Sequence, residues 1–274
     1  MKKPYIIVLI LMLVTACYLS ISNYFEKKNN SKNKENIIET VIEPDVVTNT
    51  YEERILPMEN PYVIYNVKYP YFKNADESFN SSVETLLKNK MEEHANVSKD
   101  GWEAHYNTQI KGDNIPKVPN ENQKFNFYSD YRIIQSNSSY ISYVLTYGGF
   151  SGGAHGYEIE VSFNYDVKNQ KVLTLKDMFP NNSDYLNYLS EQSRNILKGK
   201  YAVVSEEDKS SFENPDQIKE YEDNAMNSIN LGTDPKEENF SVFTFIKDRI
   251  TIYFAEYQVG PYVIGMPEVE IDIK

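Results

Sequence analysis

Tyr157-Glu158-Ile159-Glu160-Val161-Ser162-Phe163-Asn164-Tyr165 alternates apolar and polar residues with strict period two. A strand sends successive side chains to opposite faces, so this stretch predicts one buried face and one wet face, as in an antiparallel sheet. Upstream, Phe125–Ile134 and Tyr140–Tyr147 have the same aromatic and β-branched composition. Tyr62–Tyr69 reads as a further strand, kept short or at an edge by Pro61 and Pro70. Between these strands, Asp76 is a candidate N-cap for a helix whose Phe79, Val83, Leu86, Leu87 and Met91 share one face. Lys111–Gln123, with Gly112, Pro116 and Pro119, reads as the loop that follows it. Downstream, Ser183 is expected to cap a helix striped by Leu186, Leu189, Ile196 and Leu197. Asn214-Pro215 begins another, with Ile218, Tyr221, Ala225 and Ile229 aligned. Val242–Ile246, Ile250–Phe254 and Val269–Ile273 complete the strands. The predicted fold class is α+β, an antiparallel sheet with helices segregated to one side, forming a single domain over 51–274.

Lys and Arg number 28 against 40 Asp and Glu, a net charge of −12 that argues against a nucleic-acid partner. With 41% hydrophobic and 14% aromatic residues the chain can bury a core. One cysteine and three histidines exclude a disulfide and a thiolate zinc cluster, and no cofactor or metal site is expected. His94 and His105 are expected to be solvated, with a helix end and a loop between them. Eight acids against two lysines crowd Glu206–Asp223, led by Glu206, Glu207 and Asp208. That run is either a solvated face or a docking surface for a basic partner.

Lys2 and Lys3 followed by the apolar run Ile6–Val14 have the layout of a secretory signal peptide, which places the rest of the chain outside the cytoplasm. Val14-Thr15-Ala16-Cys17 resembles a bacterial lipobox, with Cys17 as the residue to be lipidated. The alternative is an uncleaved signal anchor reaching Ile21. The expected order is a signal peptide over 1–16, a lipidated tether over 17–50 whose Asn23–Thr50 part has a reach on the order of 30 Å, and then a folded domain that stands off the membrane.

Tyr147-Gly148-Gly149-Phe150-Ser151-Gly152-Gly153-Ala154-His155-Gly156 holds five of the eleven glycines. Gly149-Phe150-Ser151-Gly152-Gly153 satisfies the spacing of a nucleophile elbow. A strand rather than a helix follows it, however, and no histidine lies beyond 155, so hydrolase chemistry is not expected. A hairpin connection with several positive-φ glycines is expected instead, with His155 near its end.

Gly152-Gly153-Ala154-His155, taken with Tyr253-Phe254-Ala255-Glu256-Tyr257-Gln258-Val259-Gly260-Pro261-Tyr262-Val263-Ile264-Gly265, resembles the extracytoplasmic domain shared by lysozyme-sensing anti-sigma factors and the non-catalytic N-terminal half of a peptidoglycan deacetylase. The second stretch reads as a strand ending at Tyr257, a Gly-Pro bend and a return strand. The resemblance implies an envelope domain that recognises a lysozyme-like protein or wall glycan, through Gly152, Gly153, His155, Tyr257, Pro261 and Tyr262. Four residues precede the apolar run, too few for the anti-sigma branch's cytoplasmic domain, and the chain ends where the deacetylase's catalytic domain would begin. A recognition domain alone, anchored to the membrane, is therefore the leading expectation. A glycan-modifying enzyme using His155 with nearby carboxylates, or a structural accessory protein, are its rivals.

Overall fold

The computed structural model describes residues 51–109 and 117–273. Cys17 and the signal and tether segments expected over 1–50 lie outside the described residues, as do the first six residues of the expected Lys111–Gln123 loop. The elements run β1 (Tyr51–Ile55), β2 (Val63–Phe72), α1 (Glu77–Gln109), β3 (Phe125–Ser136), β4 (Tyr140–Phe150), β5 (Tyr157–Asp166), β6 (Lys171–Val172), α2 (Tyr185–Tyr201), α3 (Pro215–Gly232), β7 (Phe243–Ile246), β8 (Arg249–Tyr253) and β9 (Glu268–Asp272). The class is α+β, but the strands form two sheets. One holds β1 to β6 in chain order and the other holds β7, β8 and β9. All pairings are antiparallel except β2 with β3.

Two cores follow from the two sheets. In the first, α1 lays Phe79, Val83, Leu87 and Met91 against Val67, Phe72, Phe127, Tyr143 and Tyr165 of the large sheet. Asp76 caps α1 as expected, accepting from the Phe79 amide at 2.8 Å. The helix runs on to Gln109, so His94 and His105 fall on one continuous helix rather than either side of its end. The apolar stripe that begins at Phe79 carries on through Ala95 and Trp102, and this extends the helix past the expected stop. In the second core, Leu189 and Leu197 of α2 and Ile229 of α3 pack on Ile250, Ile252, Val269 and Ile271. The α2 cap position is Asp184 rather than Ser183, and Asn214 caps α3 with Pro215 in its first turn. Tyr221 is 47% exposed, resting on Phe212 rather than in the core.

β2 is longer than its prolines suggested and is paired on both flanks, one half at a time. Val63–Val67 pairs with β3 and Lys68–Phe72 with β1, so Pro70 faces only β1. Where the β3 ladder stops, the Ser129 hydroxyl takes over both backbone groups of Lys68, at 3.0 and 2.7 Å.

The face of β5 expected to be wet is largely covered. The free edge of β7 lies across it, and side chains replace a neighbouring strand. Ser162 Oγ accepts from the Phe243 amide at 3.0 Å and Ser142 Oγ accepts from that of Phe245 at 3.0 Å. Asn164 Nδ2 donates to the Phe243 carbonyl and Gln135 Nε2 to that of Phe245, both at 2.8 Å. Ser142 also donates to Asn164 Oδ1 at 2.6 Å. An exposed sheet edge invites aggregation, and a buried one needs every amide and carbonyl paired. This polar row does both jobs and joins the sheets.

Candidate functional site

The two glycine-containing motifs, about a hundred residues apart, meet at one place. The β4–β5 hairpin pairs Gly149 with Tyr157, and its connecting loop holds Gly152 and Gly153 at φ +103° and +100°, the positive-φ glycines expected there. His155 closes the loop, its Nδ1 2.6 Å from the Gly156 carbonyl oxygen. The segment after β8 turns sharply. β8 ends at Tyr253 rather than at Tyr257, and Tyr257 sits at φ +65°, an uncommon conformation for a non-glycine residue. Gln258 holds this turn in place, donating to the carbonyls of Gly232 and Asn239, each at 3.0 Å, and accepting from the Ala255 amide. Pro261 then starts the short 3-10 turn Tyr262–Ile264. The outcome is a stack in which His155 lies 4.6 Å from Tyr262 at 29°, and Tyr262 lies 5.6 Å from Tyr257 at 31°.

Beside this stack is a cleft of about 270 Å³ lined by Asn126 and Tyr128 of β3, the hairpin residues Phe150, Tyr157 and Glu158, and Glu256 and Tyr262. Tyr128 donates a short hydrogen bond to Glu158, and Asn126 Oδ1 accepts from the Phe150 amide at 3.1 Å. Burial pushes the Tyr128 hydroxyl well above its ordinary value, with Glu158 adding to the rise. Burial also raises the Glu256 carboxyl, and the Glu158 charge raises it further, while His155 pulls it down. One step along the same face of β5, Glu160 is pushed up to about 7 by burial and by Glu268, against the pull of Arg132. Arg132 of β3 reaches across to Glu268 of β9 at 2.7 Å and lies over the Tyr253 ring.

On the opposite side of the hairpin, His94 is buried rather than solvated, at 3% exposure. Its Nδ1 meets the Tyr157 hydroxyl at 2.9 Å. Its Nε2 lies beside the Asn126 and Phe150 backbone without a well-formed hydrogen bond. Gly149 makes this packing possible, since a Cβ there would sit 2.2 Å from the Asn126 carbonyl oxygen and 3.0 Å from His94 Cε1.

Of the residues singled out from sequence, His155, Tyr257, Pro261 and Tyr262 are thus brought together, with Gly152 and Gly153 shaping the loop beside them. Glu206, Glu207 and Asp208 lie on the segment between α2 and α3. Among the described residues their side-chain partners are local, Lys209 and Ser205, at 2.6 Å each. Sequence reasoning missed Asn126, Tyr128, Glu158 and Glu256. Glu158 stood in the alternating stretch and Glu256 in the C-terminal motif, and nothing local distinguishes either from a solvated acid. Among the described residues no group of three or more His, Cys, Asp or Glu side chains converges to hold a metal ion.

Comparison with known proteins matches the two halves of this arrangement separately. Residues 57–158 match the family described as "Deacetylase PdaC", and residues 176–274 match that described as "Protein of unknown function (DUF3298)". It is 26% identical over 260 residues to the peptidoglycan-N-acetylmuramic acid deacetylase PdaC of Bacillus subtilis (strain 168), which covers 95% of this chain. The chain spans 47% of that relative's length. A solved DUF3298 family structure from Bacteroides fragilis shares the fold at a TM-score of 0.52 and 19% identity, covering 82% of this chain and 92% of its own. The cleft draws Asn126, Tyr128 and the hairpin from the PdaC region, and Glu256 and Tyr262 from the DUF3298 region. No helix among the described residues is long and apolar enough to cross a membrane.

Proposed function

We propose that the chain is an exported, membrane-anchored binding module of the cell envelope, and that the His155–Tyr262–Tyr257 stack with its adjoining cleft is the recognition surface. The observation that carries this reading is the convergence of both family motifs on one partly exposed aromatic platform. Tyr257 is 59% and Tyr262 42% exposed, held by a strained turn rather than by burial. Amphipathic rings on a rigid support are the usual anchors of protein interfaces. With a net charge of −12, a basic partner of the lysozyme type is favoured. The second reading is wall glycan, which rests on the name of the PdaC relative and on the capacity of flat tyrosine faces to stack on sugar rings.

Immobilised residues 51–274 are expected to retain lysozyme, and Tyr262→Ala to lower that affinity at least ten-fold while leaving the circular dichroism spectrum unchanged. Co-sedimentation with insoluble peptidoglycan without lysozyme capture would select the glycan reading. New reducing ends or released acetate would overturn the binding module in favour of an enzyme. Anchoring is tested separately. Cys17→Ser is expected to leave a full-length precursor that takes up no fatty-acid probe, and unchanged processing would favour an uncleaved anchor.

A further inference from the structure

Glu158 and Glu256 contribute two carboxylates to one cleft, and among the described residues neither forms a salt bridge. The nearby arginine is already engaged, Arg132 by Glu268. Each carboxylate raises the cost of ionising its neighbours here, as the Glu158 charge does for Glu256 and the Glu256 charge does for Tyr262. The remaining walls are aromatic, formed by Tyr128, Phe150, Tyr157 and Tyr262, with the Asn126 amide among them. Carboxylates without a salt-bridge partner, beside ring faces, are the chemistry that holds an organic cation.

We propose that this cleft accepts the cationic head of a lysine or arginine side chain presented by a basic protein partner. The inference rests on the binding-module reading above and names what the cleft, as distinct from the tyrosine platform, takes. Its size favours a side chain. At about 270 Å³ it falls just below the range of roughly 300–1,000 Å³ typical of small-molecule clefts. Its rim favours a protein. Tyr262 in the cleft wall stacks on Tyr257, which is 59% exposed, so ring faces of the kind that anchor protein interfaces border the charged contact.

The inference is tested by titrating residues 51–274 with n-butylammonium and N-ethylguanidinium at constant ionic strength, following the side-chain resonances of Glu158, Glu256 and Tyr262, with n-butanol as the neutral control. Saturable shifts are expected for both cations and none for the alcohol, and binding at least ten-fold weaker in Glu158→Gln/Glu256→Gln. The same double variant is expected to lose at least ten-fold in lysozyme affinity with its amide spectrum preserved. Glu256→Gln alone, on an outlying turn, serves should the double variant unfold. Equal response to butanol, or lysozyme binding unchanged in the variants, would overturn the proposal. Glucosamine binding more tightly than either alkyl cation would overturn the side-chain assignment. Saturable cation binding in a wild type that ignores lysozyme would support the cleft chemistry and sink the lysozyme reading alone.

Discussion

Glu160 and His94 show how burial on the two sides of one hairpin gives stability two opposite pH dependences. Glu160 is half-buried, and its folded-state value of about 7 lies above the model-peptide value of 4.5. The folded state therefore holds its proton more tightly than the unfolded chain. The associated stability is full below about pH 4.5 and is lost as pH rises through 7. Glu160→Gln is expected to flatten that decline and to raise stability at pH 8 by about 1–2 kcal/mol, discounted for the group's partial exposure. Urea denaturation of both proteins at pH 5 and pH 8 checks this, and an equal difference at the two pH values would contradict it. Burial lowers His94 instead, so its contribution has the reverse sign and is lost as pH falls below about 6.5.

At the scale of elements, the hairpin and the sheet joint depend on different kinds of contact. Gly149→Ala drives a Cβ into the Asn126 carbonyl at 2.2 Å, where backbone must move, and a loss of about 2–4 kcal/mol is expected. Gly152→Ala meets nothing closer than Phe125 at 3.7 Å, so only the strain of φ +103° opposes it, costing about 1–2 kcal/mol. A larger loss at Gly152 than at Gly149, measured by chemical denaturation, would reverse this assignment. Across the joint, Asn164→Ala strips a donor from the Phe243 carbonyl and an acceptor from Ser142, both buried. Leaving such groups unpaired costs about 1–3 kcal/mol, and protection of the β7 amides from hydrogen exchange is expected to fall with it.

For the whole molecule, the acidic segment around Glu206 is a question of field rather than of contact. Of its two lysines, Lys209 pairs locally with Glu206, and the segment remains strongly negative. If it steers a basic partner, reversing Glu206, Glu207 and Asp208 to lysine slows association with lysozyme several-fold. Dissociation changes little, because exposed charges act mainly on encounter. The wild-type rate is expected to fall as added salt shortens the Debye length below about 8 Å, and the variant's rate to fall less. Equal salt slopes in stopped-flow measurements would mean that the segment is a solvated face.

Period-two alternation, the Asp76 and Asn214-Pro215 caps and the apolar stripes of the helices were legible in sequence, because each records a local relation between neighbours on one element. That is why the α+β class, seven of the nine strands described and the glycine hairpin could be read without coordinates, while the edge strands β1 and β6 were not. The same local rules misjudged the polar face of β5. Ser162 and Asn164 look like solvent-facing residues until the edge of β7, 81 and 79 residues away, is laid over them. The parallel pairing of β2 with β3, the division into two sheets and the burial of His94 are likewise properties of which surfaces meet. The candidate site divides in the same way. His155, Tyr257, Pro261 and Tyr262 stood out by motif, whereas Glu158 and Glu256 came together only when folding placed two carboxylates without a salt-bridge partner in one aromatic cleft. A sequence fixes the periodicity of each element through its own backbone geometry. The desolvation and mutual repulsion that set those two acids apart exist only once distant elements are packed together.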